Sequence, residues 1–398
     1  MTNFPGNTAA QDLFDSLRPS CPGQRPEHEA WRRRVRAFVD TQISPQLDAW
    51  EARCDFPDSL YLSAVDHGIF GLGFPLEVGG TDEIADIYQR IILAEEMHRT
   101  GSGLVFADLA THWIALPPVI SAGNEGLYDR IVRPVLAGHK RICFAVTEPS
   151  GGSDVANLST RAERNGNGYS LSGSKTLISA AMRADYALVI ARTGDAGMRG
   201  LSLFVVDLNQ PGVTRAPVAG LQWYNRNVGT LNFDNVQIPR EQLLGEENCG
   251  FGPLAAQLDI ERFSGIGAML GLSRYCLAEA ITHCKERKAF GKRLIEHQTL
   301  RHRLVEMHRE LRSAYSYLDY CVEQLAGGQH HRADLALLKI TASRVLDLCS
   351  SEAMQMLAGR AYSGVSRVAR AHRESRIFAL AGGTQEILSE MAAKQLGL

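Results

Sequence analysis

The chain has 398 residues, too many for one ordinary hydrophobic core, which predicts two or three domains. Hydrophobic residues make up 45% and charged residues 22% of the sequence, a composition typical of soluble globular proteins. The net charge of −2 gives no general attraction to phosphate backbones or acidic membranes, so we expect neither nucleic acid nor a membrane as a partner.

The cysteines and the first residues bear on the cellular compartment. The eight cysteines are scattered without a CxxC pair, and the histidines contain no HExxH pair, so we expect reduced thiols and no metal site. The opening MTNFPGNTAAQDLFDSL lacks a basic start followed by an apolar run. Together these features predict a cytoplasmic protein.

Residues 1–140 are predicted to form an N-terminal α-helical domain. Apolar residues recur at steps of three and four in 28–53 and 84–100, as in amphipathic helices, and a loop rich in Gly and Pro at 71–82 separates them. The basic run WRRRVR at 31–36, like RHRLVEMHRELR further along, is interpreted as a solvated helix face.

Residues 141–250 change to a period of two and predict a middle antiparallel β-barrel or sandwich. The expected strands cover 169–179, 186–193, 201–208 and 229–239. The segment VTEPSGGSD precedes them, and its Thr147, Ser153 and glycine amides could cradle a flat polar ligand or could form an ordinary turn.

Residues 251–398 return to a helical period and predict an antiparallel four-helix bundle, so the fold class is α+β in the order α, β, α. The amphipathic patterns cover 253–286, 296–325, 331–358 and 384–396. The segment GIGAMLG at 265–271 has the wrong spacing for a dinucleotide-binding loop and indicates close helix packing.

Glu261 lies on the apolar stripe of the first of these helices, three residues after Leu258. A carboxylate that faces a core is costly unless it is paired or protonated. The pattern leaves two explanations open: an ion pair with an arginine on a neighbouring helix, or a base whose pKa is raised by an apolar pocket.

Six segments, in their order and spacing, resemble the flavin-dependent acyl-CoA dehydrogenases: FAVTEPSGGSDV, GSKTLIS, LLGEENCGFG, CKERKAFGKRLIEHQTL, AMQMLAGRAYSG and AGGTQEIL. The similarity extends from about residue 28 to the C-terminus. It implies an N-terminal helical domain, a middle β-domain and a C-terminal four-helix bundle, with FAD between the subunits of a homotetramer. It also implies α,β-dehydrogenation of an acyl-CoA thioester, with an electron-transferring flavoprotein as the electron acceptor.

The resemblance also proposes a catalytic base. Many family members carry the catalytic glutamate directly before the GT of the last segment, where this chain has Gly382. A subgroup similar to isovaleryl-CoA dehydrogenase places it on a helix with the pattern LDxER, which is Leu258–Arg262 here. The resemblance therefore assigns α-proton abstraction to Glu261, with β-hydride transfer to flavin N5, and binding of the thioester oxygen to the Gly382 amide. The implied substrate-binding residues are Ser153, Arg262, Ala381 and Gly382.

The same resemblance implies a set of FAD-binding residues. The family has a tryptophan and a threonine where this chain has Leu177 and Ser179, so an aromatic neighbour of the flavin ring is replaced by an aliphatic one. The full set is Phe144, Val146, Thr147, Gly152, Ser153, Leu177, Ile178, Ser179, Arg287, Phe290, Gln298, Gln355, Gly359, Thr384 and Glu386.

Other functions on the same fold remain open. The acyl or aminoacyl group, such as prolyl, could be held on an acyl-carrier protein instead of CoA, since both present the same thioester arm. The protein could also be a flavin oxidase or monooxygenase, or a non-catalytic scaffold. The small side chains at Ala381 and Gly382 suggest an α-substituted, branched or cyclic acyl group.

Overall fold

The computed structural model describes residues 8–21, 23–81, 86–220, 226–329, 332–362 and 366–398. Its helices are α1 (Thr8–Ser16), α2 (Pro26–Phe38), α3 (Leu47–Arg53), α4 (Ser59–Asp66), α5 (Ile87–His98), α6 (Leu104–Leu109), α7 (Thr111–Ser121), α8 (Glu125–Leu127), α9 (Arg133–Leu136), α10 (Phe251–Glu286), α11 (Gln298–Ala326), α12 (Arg332–Leu357), α13 (Gly359–Tyr362), α14 (Arg367–Leu380) and α15 (Gln385–Leu396). Its strands are β1 (Ile142–Ala145), β2 (Arg161–Asn165), β3 (Gly168–Ile178), β4 (Tyr186–Arg192), β5 (Leu201–Asp207), β6 (Val213–Pro217), β7 (Gly229–Pro239), β8 (Leu243–Leu244), β9 (Lys288–Ala289) and β10 (Lys292–Arg293).

The chain divides into two units, neither of which is a continuous segment. The first unit combines Met1–Asp48, Asp86–Gly103 and Glu261–Leu398, and is helical apart from the short β9–β10 hairpin. The second combines Ala49–Ala85 with Leu104–Ile260 and contains the main sheet. The predicted order of a helical, a β and a second helical segment along the chain is confirmed.

Local sequence explains where helix α5 of the first unit begins. Asp86 and Gln89 form a capping box at the start of α5, since each side chain accepts a hydrogen bond of 3.0 Å from the other's backbone amide. α12 packs against α11, α14 and α15, and its buried residues include Leu338, Ala342 and Leu346 at steps of four.

The sequence patterns missed α14. Ser366 caps this helix by accepting a hydrogen bond of 3.3 Å from the Ala369 amide. The helix buries Arg370 and Glu374 on its inner face, so its charged residues obscure the apolar period that revealed α10, α11, α12 and α15.

The sheet of the second unit has the order β6-β7-β3-β2-β4-β5-β8, and β1 adds to it by pairing with β4. Strands β3, β4, β5 and β7 lie within a residue of their predicted positions. The sheet is mixed, because β1 and β2 each pair with β4 in parallel while the other pairings along the order are antiparallel. β4 is buried along its whole length, as its continuous apolar sequence requires.

The basic run at 31–36 is only partly a solvated face, and that prediction was wrong for Arg32. The Arg32 side chain is buried, and its Nη1 atom donates to Glu95 at 3.0 Å and to Glu96 at 2.7 Å. Its positive charge helps to offset these two buried carboxylates, together with Arg18 at Glu95 and Arg36 at Glu96. Arg33 remains exposed, as predicted.

Helix α1 covers a buried guanidinium. The Phe14 ring lies 3.8 Å from the guanidinium carbon of Arg274, whose side chain is 0% exposed. Among the residues with described side chains, Arg274 makes no hydrogen bond, and its nearest counter-charge is Glu95 at 3.9 Å. Asp15, also on α1, accepts two hydrogen bonds from Arg36 at 2.7 and 2.8 Å. Helix α1 therefore covers the buried Arg274 guanidinium and forms an ion pair with Arg36.

Glycines in GIGAMLG allow close helix packing, as predicted. A Cβ at Gly267 would lie 2.7 Å from the Ile91 carbonyl oxygen, and one at Gly271 would lie 2.9 Å from that of Glu95, so α10 contacts the backbone of α5. A Cβ at Gly265 would meet nothing within 4 Å.

One stretch in the described part of the chain, Leu104–Ser121, is long and apolar enough to cross a membrane by length and composition alone. Slightly more than half of it is buried inside the protein, and core helices of soluble proteins can have the same length and composition. This stretch is therefore weak support for a membrane location. All eight cysteines are free thiols.

Candidate active site

The predicted site residues fall in both units, and the first group surrounds the VTEP turn of the second unit. Glu148 and Gly151 exchange two backbone hydrogen bonds of 3.0 Å, which close the turn. The Thr147 carbonyl accepts a hydrogen bond of 2.9 Å from the Thr176 amide, which ties the turn to β3. A Cβ at Gly152 would lie 3.2 Å from the Thr147 methyl, so the turn has little room for a side chain there.

A buried ion pair beneath this turn was not predicted. Lys175 Nζ donates to Glu148 Oε1 at 2.9 Å and to the Val146 carbonyl at 3.0 Å. Ser159 and Thr160 donate further hydrogen bonds to the same carboxylate at 2.6 to 3.0 Å. Burial alone would raise the pKa of Glu148, but the Lys175 charge and these hydrogen bonds lower it to about 2.

The turn and the end of β3 are therefore held together by a buried ion pair, in which burial lowers the pKa of Lys175 to about 8 and the charge of Glu148 opposes that fall. The signal in the sequence was the presence of one acid in VTEP and one base in GSK, in segments that are otherwise uncharged. Nothing in the residue spacing indicated that the two would meet.

The end of β3 presents Leu177 to solvent. The register between β3 and β7 shifts between Lys175 and Ile178, and Leu177 adopts a left-handed φ of +58°. Its side chain is 51% exposed, whereas Ile178 is buried in the sheet core. A ligand could therefore contact the Leu177 side chain, but could reach Ile178 only through its backbone.

Three hydroxyls in this part of the second unit are free to bind a ligand. Thr147, Ser153 and Ser179 donate no side-chain hydrogen bond to any residue whose placement is described, and none is fully buried. Phe144 and Val146, on β1 and just after it, are half-buried beside them in sequence. Hydroxyls next to apolar side chains are suited to a flat ring with a polar edge.

In the first unit, Glu261 is half-buried on α10. Its carboxylate makes no hydrogen bond or salt bridge within the described ranges, so the ion pair with a neighbouring arginine, one of the two explanations left open by the sequence, is not formed there. Burial raises the pKa of Glu261, and the charges of Arg262 and Lys339 oppose that rise. This is the environment of a carboxylate that can accept a proton.

The glycine turn lies close to the same charges. Gly382 and Gly383 have left-handed φ values of +68° and +108°, which glycine adopts without steric cost. Arg262 Nε donates to the Gly382 carbonyl at 3.0 Å, and Lys339 Nζ donates to the Gly383 carbonyl at 2.8 Å. The Gly382 amide donates to no described acceptor and can serve a ligand oxygen.

The position of Lys339 in this site was not predicted from the sequence. Its only signal was a lone cation inside the apolar run LALLKITA, where a charged residue on a core helix requires a partner. The structure brings Lys339 together with Glu261, Arg262 and the glycine turn, all within the first unit.

Helix α15 begins directly after this turn. Thr384 is its cap and accepts a hydrogen bond of 3.3 Å from the Ile387 amide, as expected for a helix N-terminus. Glu386 is exposed in the first turn. Amides at such an N-terminus suit an anionic group, while an acidic side chain suits a sugar hydroxyl.

The remaining cofactor candidates lie on the surface of the first unit. Phe290 and Gly291 form the two-residue tip of the β9–β10 hairpin, both with positive φ, and the Phe290 side chain is 95% exposed. The ring is therefore accessible to a ligand or to another protein chain. Also exposed are Arg287, Gln298, Gln355 and Gly359.

The residues present fit a flavin adenine dinucleotide in chemical type. The hydroxyls near the VTEP turn match the polar edge of a flavin ring, and the Leu177 side chain offers an apolar surface. The N-terminus of α15 and the exposed Arg287 match a diphosphate. No group of three or more potential metal ligands occurs among the residues described.

Family models match the chain along most of its length. They are "Acyl-CoA dehydrogenase, N-terminal domain" at residues 25–139, "middle domain" at 143–236 and "C-terminal domain" at 248–397. These matches agree with the resemblance inferred from the motifs.

An acyl-CoA dehydrogenase of Alternaria alternata is 33% identical, over 99% of this chain and 97% of that protein. A subunit of the caffeyl-CoA reductase-Etf complex of Acetobacterium woodii is 30% identical, over 89% and 94%. The crystal structure of a putative acyl-CoA dehydrogenase from Mycobacterium smegmatis superposes with a TM-score of 0.90 at 36% identity, covering 94% of this chain and 98% of that one.

Proposed function

This chain belongs to the acyl-CoA dehydrogenase family, and from that premise we propose that Glu261 is the base that takes the α-proton of an acyl-CoA thioester. The protein is a flavin-dependent oxidoreductase that acts on acyl-CoA. The observation that carries the assignment is a half-buried carboxylate without a partner in the described structure, in a chain whose alternative position for the acid is Gly382.

Glu261 has the properties that α-proton removal requires. The α-C–H of a thioester is far less acidic than a carboxylic acid, so a base with a raised pKa reduces the mismatch. Burial raises the pKa of Glu261 in that direction, while the charges of Arg262 and Lys339 oppose the rise and favour the carboxylate form. Glu261 thus accepts the proton on a carboxylate oxygen.

The turn supplies the second contribution. As the α-proton leaves, negative charge develops on the thioester oxygen, and the Gly382 amide donates a hydrogen bond to it. A well-placed donor of this kind contributes about 3–4 kcal/mol to the transition state. A backbone amide does this equally well in glycine as in glutamate, so the two functions separate onto Gly382 and Glu261. When bound, FAD accepts the hydride that leaves the β-carbon.

The same proposal covers the cofactor and the assembly. Thr147, Ser153 and Ser179 would hold the flavin ring through their hydroxyls, and Leu177 would offer it an apolar surface. The exposed residues Arg287, Phe290, Gln298, Gln355 and Gly359, together with Thr384 and Glu386, bind the adenosine diphosphate part, with subunits of a homotetramer sharing the site. The 95% exposure of Phe290 supports this, because it leaves the ring accessible to a cofactor or to another subunit.

The substrate and the electron acceptor are also part of the proposal. Ala381 has only a methyl side chain and Gly382 has none, and among the described residues a Cβ at Gly382 would meet only the Arg262 side chain, at 3.9 Å, which favours an α-substituted, branched or cyclic acyl group. A relative named as a subunit of an Etf complex supports an electron-transferring flavoprotein as acceptor. We place the enzyme in the cytoplasm.

Anaerobic reduction of the bound flavin by a panel of thioesters tests the function. Glu261→Gln is expected to bind FAD normally and to lose about 10²–10⁴-fold in the rate of flavin bleaching, because the proton acceptor is removed. Asp259→Asn, two residues earlier on α10, removes the same charge and is expected to keep the wild-type rate. Near-normal bleaching in Glu261→Gln would refute the assignment.

The panel also separates the alternatives. It should pair each acyl group on CoA with the same group on a carrier protein, and each branched chain with a straight chain of equal length. Faster reduction by carrier-bound groups would move the substrate handle to a carrier protein. Much faster reduction by straight chains would reject the branched or cyclic substrate.

A further inference from the structure

The two carbonyl oxygens of the glycine turn are held by cations from two different helices. Arg262 of α10 donates to the Gly382 oxygen at 3.0 Å, and Lys339 of α12 donates to the Gly383 oxygen at 2.8 Å. The arginine follows the proposed base directly in sequence, whereas the lysine lies 78 positions further along the chain and is known only from the fold.

The turn needs such restraints because of its composition. Two consecutive glycines have no Cβ to limit their dihedral angles, so the directions of their amides are not fixed by local sterics. The adjacent residues are anchored: the Ala381 amide donates to the Ile377 carbonyl at 2.8 Å, and the Leu388 amide to the Thr384 carbonyl at 3.0 Å. Between them, the described contacts of the turn's own carbonyls are those with Arg262 and Lys339.

Burying the ammonium group of Lys339 in its position costs desolvation free energy. Its side chain is only 3% exposed, and it lies between the buried residues Leu338 and Ile340 on α12. Burial and the charge of Arg262 lower the pKa of Lys339 to about 8, and the charge of Glu261 opposes that fall. An apolar residue of the same length would fill the space without a desolvation cost. A buried cation here therefore indicates a function of the charge and its donated hydrogen bond.

The charge of Lys339 acts on Glu261. The charged groups facing the Glu261 carboxyl are Arg262 from its own helix and Lys339 from α12, and no other charged group in the described part of the chain acts on it appreciably. Two cations thus stabilise the ionised form against a half-buried environment that favours the neutral form.

We propose that Lys339 is a positioning residue for dehydrogenation: its ammonium group, bound to the Gly383 carbonyl, holds the Gly382–Gly383 turn so that the Gly382 amide meets the thioester oxygen, and its positive charge favours the anionic form of Glu261. This inference rests on the proposed function of Glu261. Lys339 does not contact the reacting atoms. It links the oxyanion-binding amide and the base, since one ammonium group acts on both.

Lys339→Met tests the inference in the flavin-loaded protein. The rate of anaerobic flavin bleaching by a saturating thioester is measured against pH. With the cation removed, the pKa of Glu261 rises, so the acidic limb of the profile shifts to higher pH. The limiting rate above that limb falls about 10–100-fold, because the amide donor is less well placed. Lys339→Arg keeps a cation and is expected to retain an acidic limb close to that of the wild type.

Two matched variants control for charge and for packing. Lys394→Met removes a charge from an exposed site on α15. Ser343→Ala removes the hydrogen bond of 3.0 Å that Gln385 donates to α12, on the same helix as Lys339. Both are expected to leave the acidic limb where it is in the wild type. Lys339→Gln, which is neutral but polar, gives a second measurement of the charge effect if Lys339→Met does not fold.

A second readout does not depend on turnover. The carboxyl band of Glu261 can be followed by infrared titration without substrate and assigned by its loss in Glu261→Gln. Its midpoint is expected to rise in Lys339→Met, and hydrogen exchange at residues 381–384 is expected to become faster. A carboxyl midpoint and an acidic limb at their wild-type positions in Lys339→Met and Lys339→Gln would overturn the inference alone. A wild-type protein that no thioester reduces, or an active Glu261→Gln variant, would instead overturn the proposed function.

Discussion

Replacing Glu148 by glutamine should destabilise the sheet of the second unit more than any loss of one surface charge. Glu148 and Lys175 form a pair with an Nζ–Oε1 distance of 2.9 Å, and neither side chain is appreciably exposed. The substitution leaves the ammonium group of Lys175 buried without its counter-charge. Breaking a buried pair in this way costs about 3–5 kcal/mol.

The pKa of Glu148 gives the acid dependence of this pair. A fall from the usual 4.5 to about 2 corresponds to about 3 kcal/mol of stability at neutral pH for this group alone, whereas the lowering of the Lys175 pKa to about 8 offsets a comparable amount. Because the folded-state pKa of Glu148 is the lower one, its contribution is present above the unfolded-state pKa and is lost as the pH falls toward 2. Roughly three-fifths of the Glu148 contribution should be gone by pH 3.

Native-state hydrogen exchange of the β3 and β4 amides, at pH 7 and under acidic conditions, reports the local free energy of unfolding. Glu148→Gln should lower that free energy at pH 7 and reduce its acid dependence. The double variant Glu148→Gln/Lys175→Met should recover most of the loss, because no unpaired charge remains. If the single and double variants are equally unstable, or if the acid dependence is unchanged in Glu148→Gln, the pair does not hold the turn as argued.

Three further outcomes follow from the geometry. Gly267→Ala should lower the melting temperature, because its Cβ would lie 2.7 Å from the Ile91 carbonyl oxygen, at a cost of about 1–3 kcal/mol. Gly265→Ala should raise the melting temperature, because it removes a flexible residue from an open helix position. Equal effects of the two variants in circular dichroism melts would contradict the packing argument. Phe290→Ala should leave the melting temperature of the flavin-free protein unchanged but weaken FAD retention and subunit association, measured by dialysis and sedimentation; unchanged retention would count against a shared cofactor site. Leu177→Trp should fold normally, since the side chain is 51% exposed, and should quench the fluorescence of bound flavin; an unaltered emission would place the ring elsewhere.

The sequence predicted the elements whose periodicity is undisturbed. β3, β4, β5 and β7, like the long helices α10, α11 and α12, have continuous apolar patterns of period two or near 3.6, and their bounds were predicted within a few residues. The strands β1, β2 and β6 are four or five residues long, too short to show a period. They pair with partners that the chain order alone does not identify.

The site shows the same division. Glu261 could be found because a carboxylate on an apolar stripe is visible in one helix, and because the motif around it is local. The partners of the site could not, since Lys339 meets Gly383 across 44 positions and Lys175 meets Glu148 across 27. Contacts between residues that far apart depend on how helices and strands pack, which a one-dimensional pattern does not contain.

The first helix has a consequence for how this protein should be delimited. The match to the family's N-terminal model begins at residue 25, yet Phe14, Asp15 and Arg18 lie before it and contact Arg274, Arg36 and Glu95. A chain shortened to begin at residue 25 would expose the Arg274 guanidinium, which is buried in the present structure. The start of the family match at residue 25 is therefore not the start of the cooperative folding unit. Expression of the shortened chain should give a less soluble product.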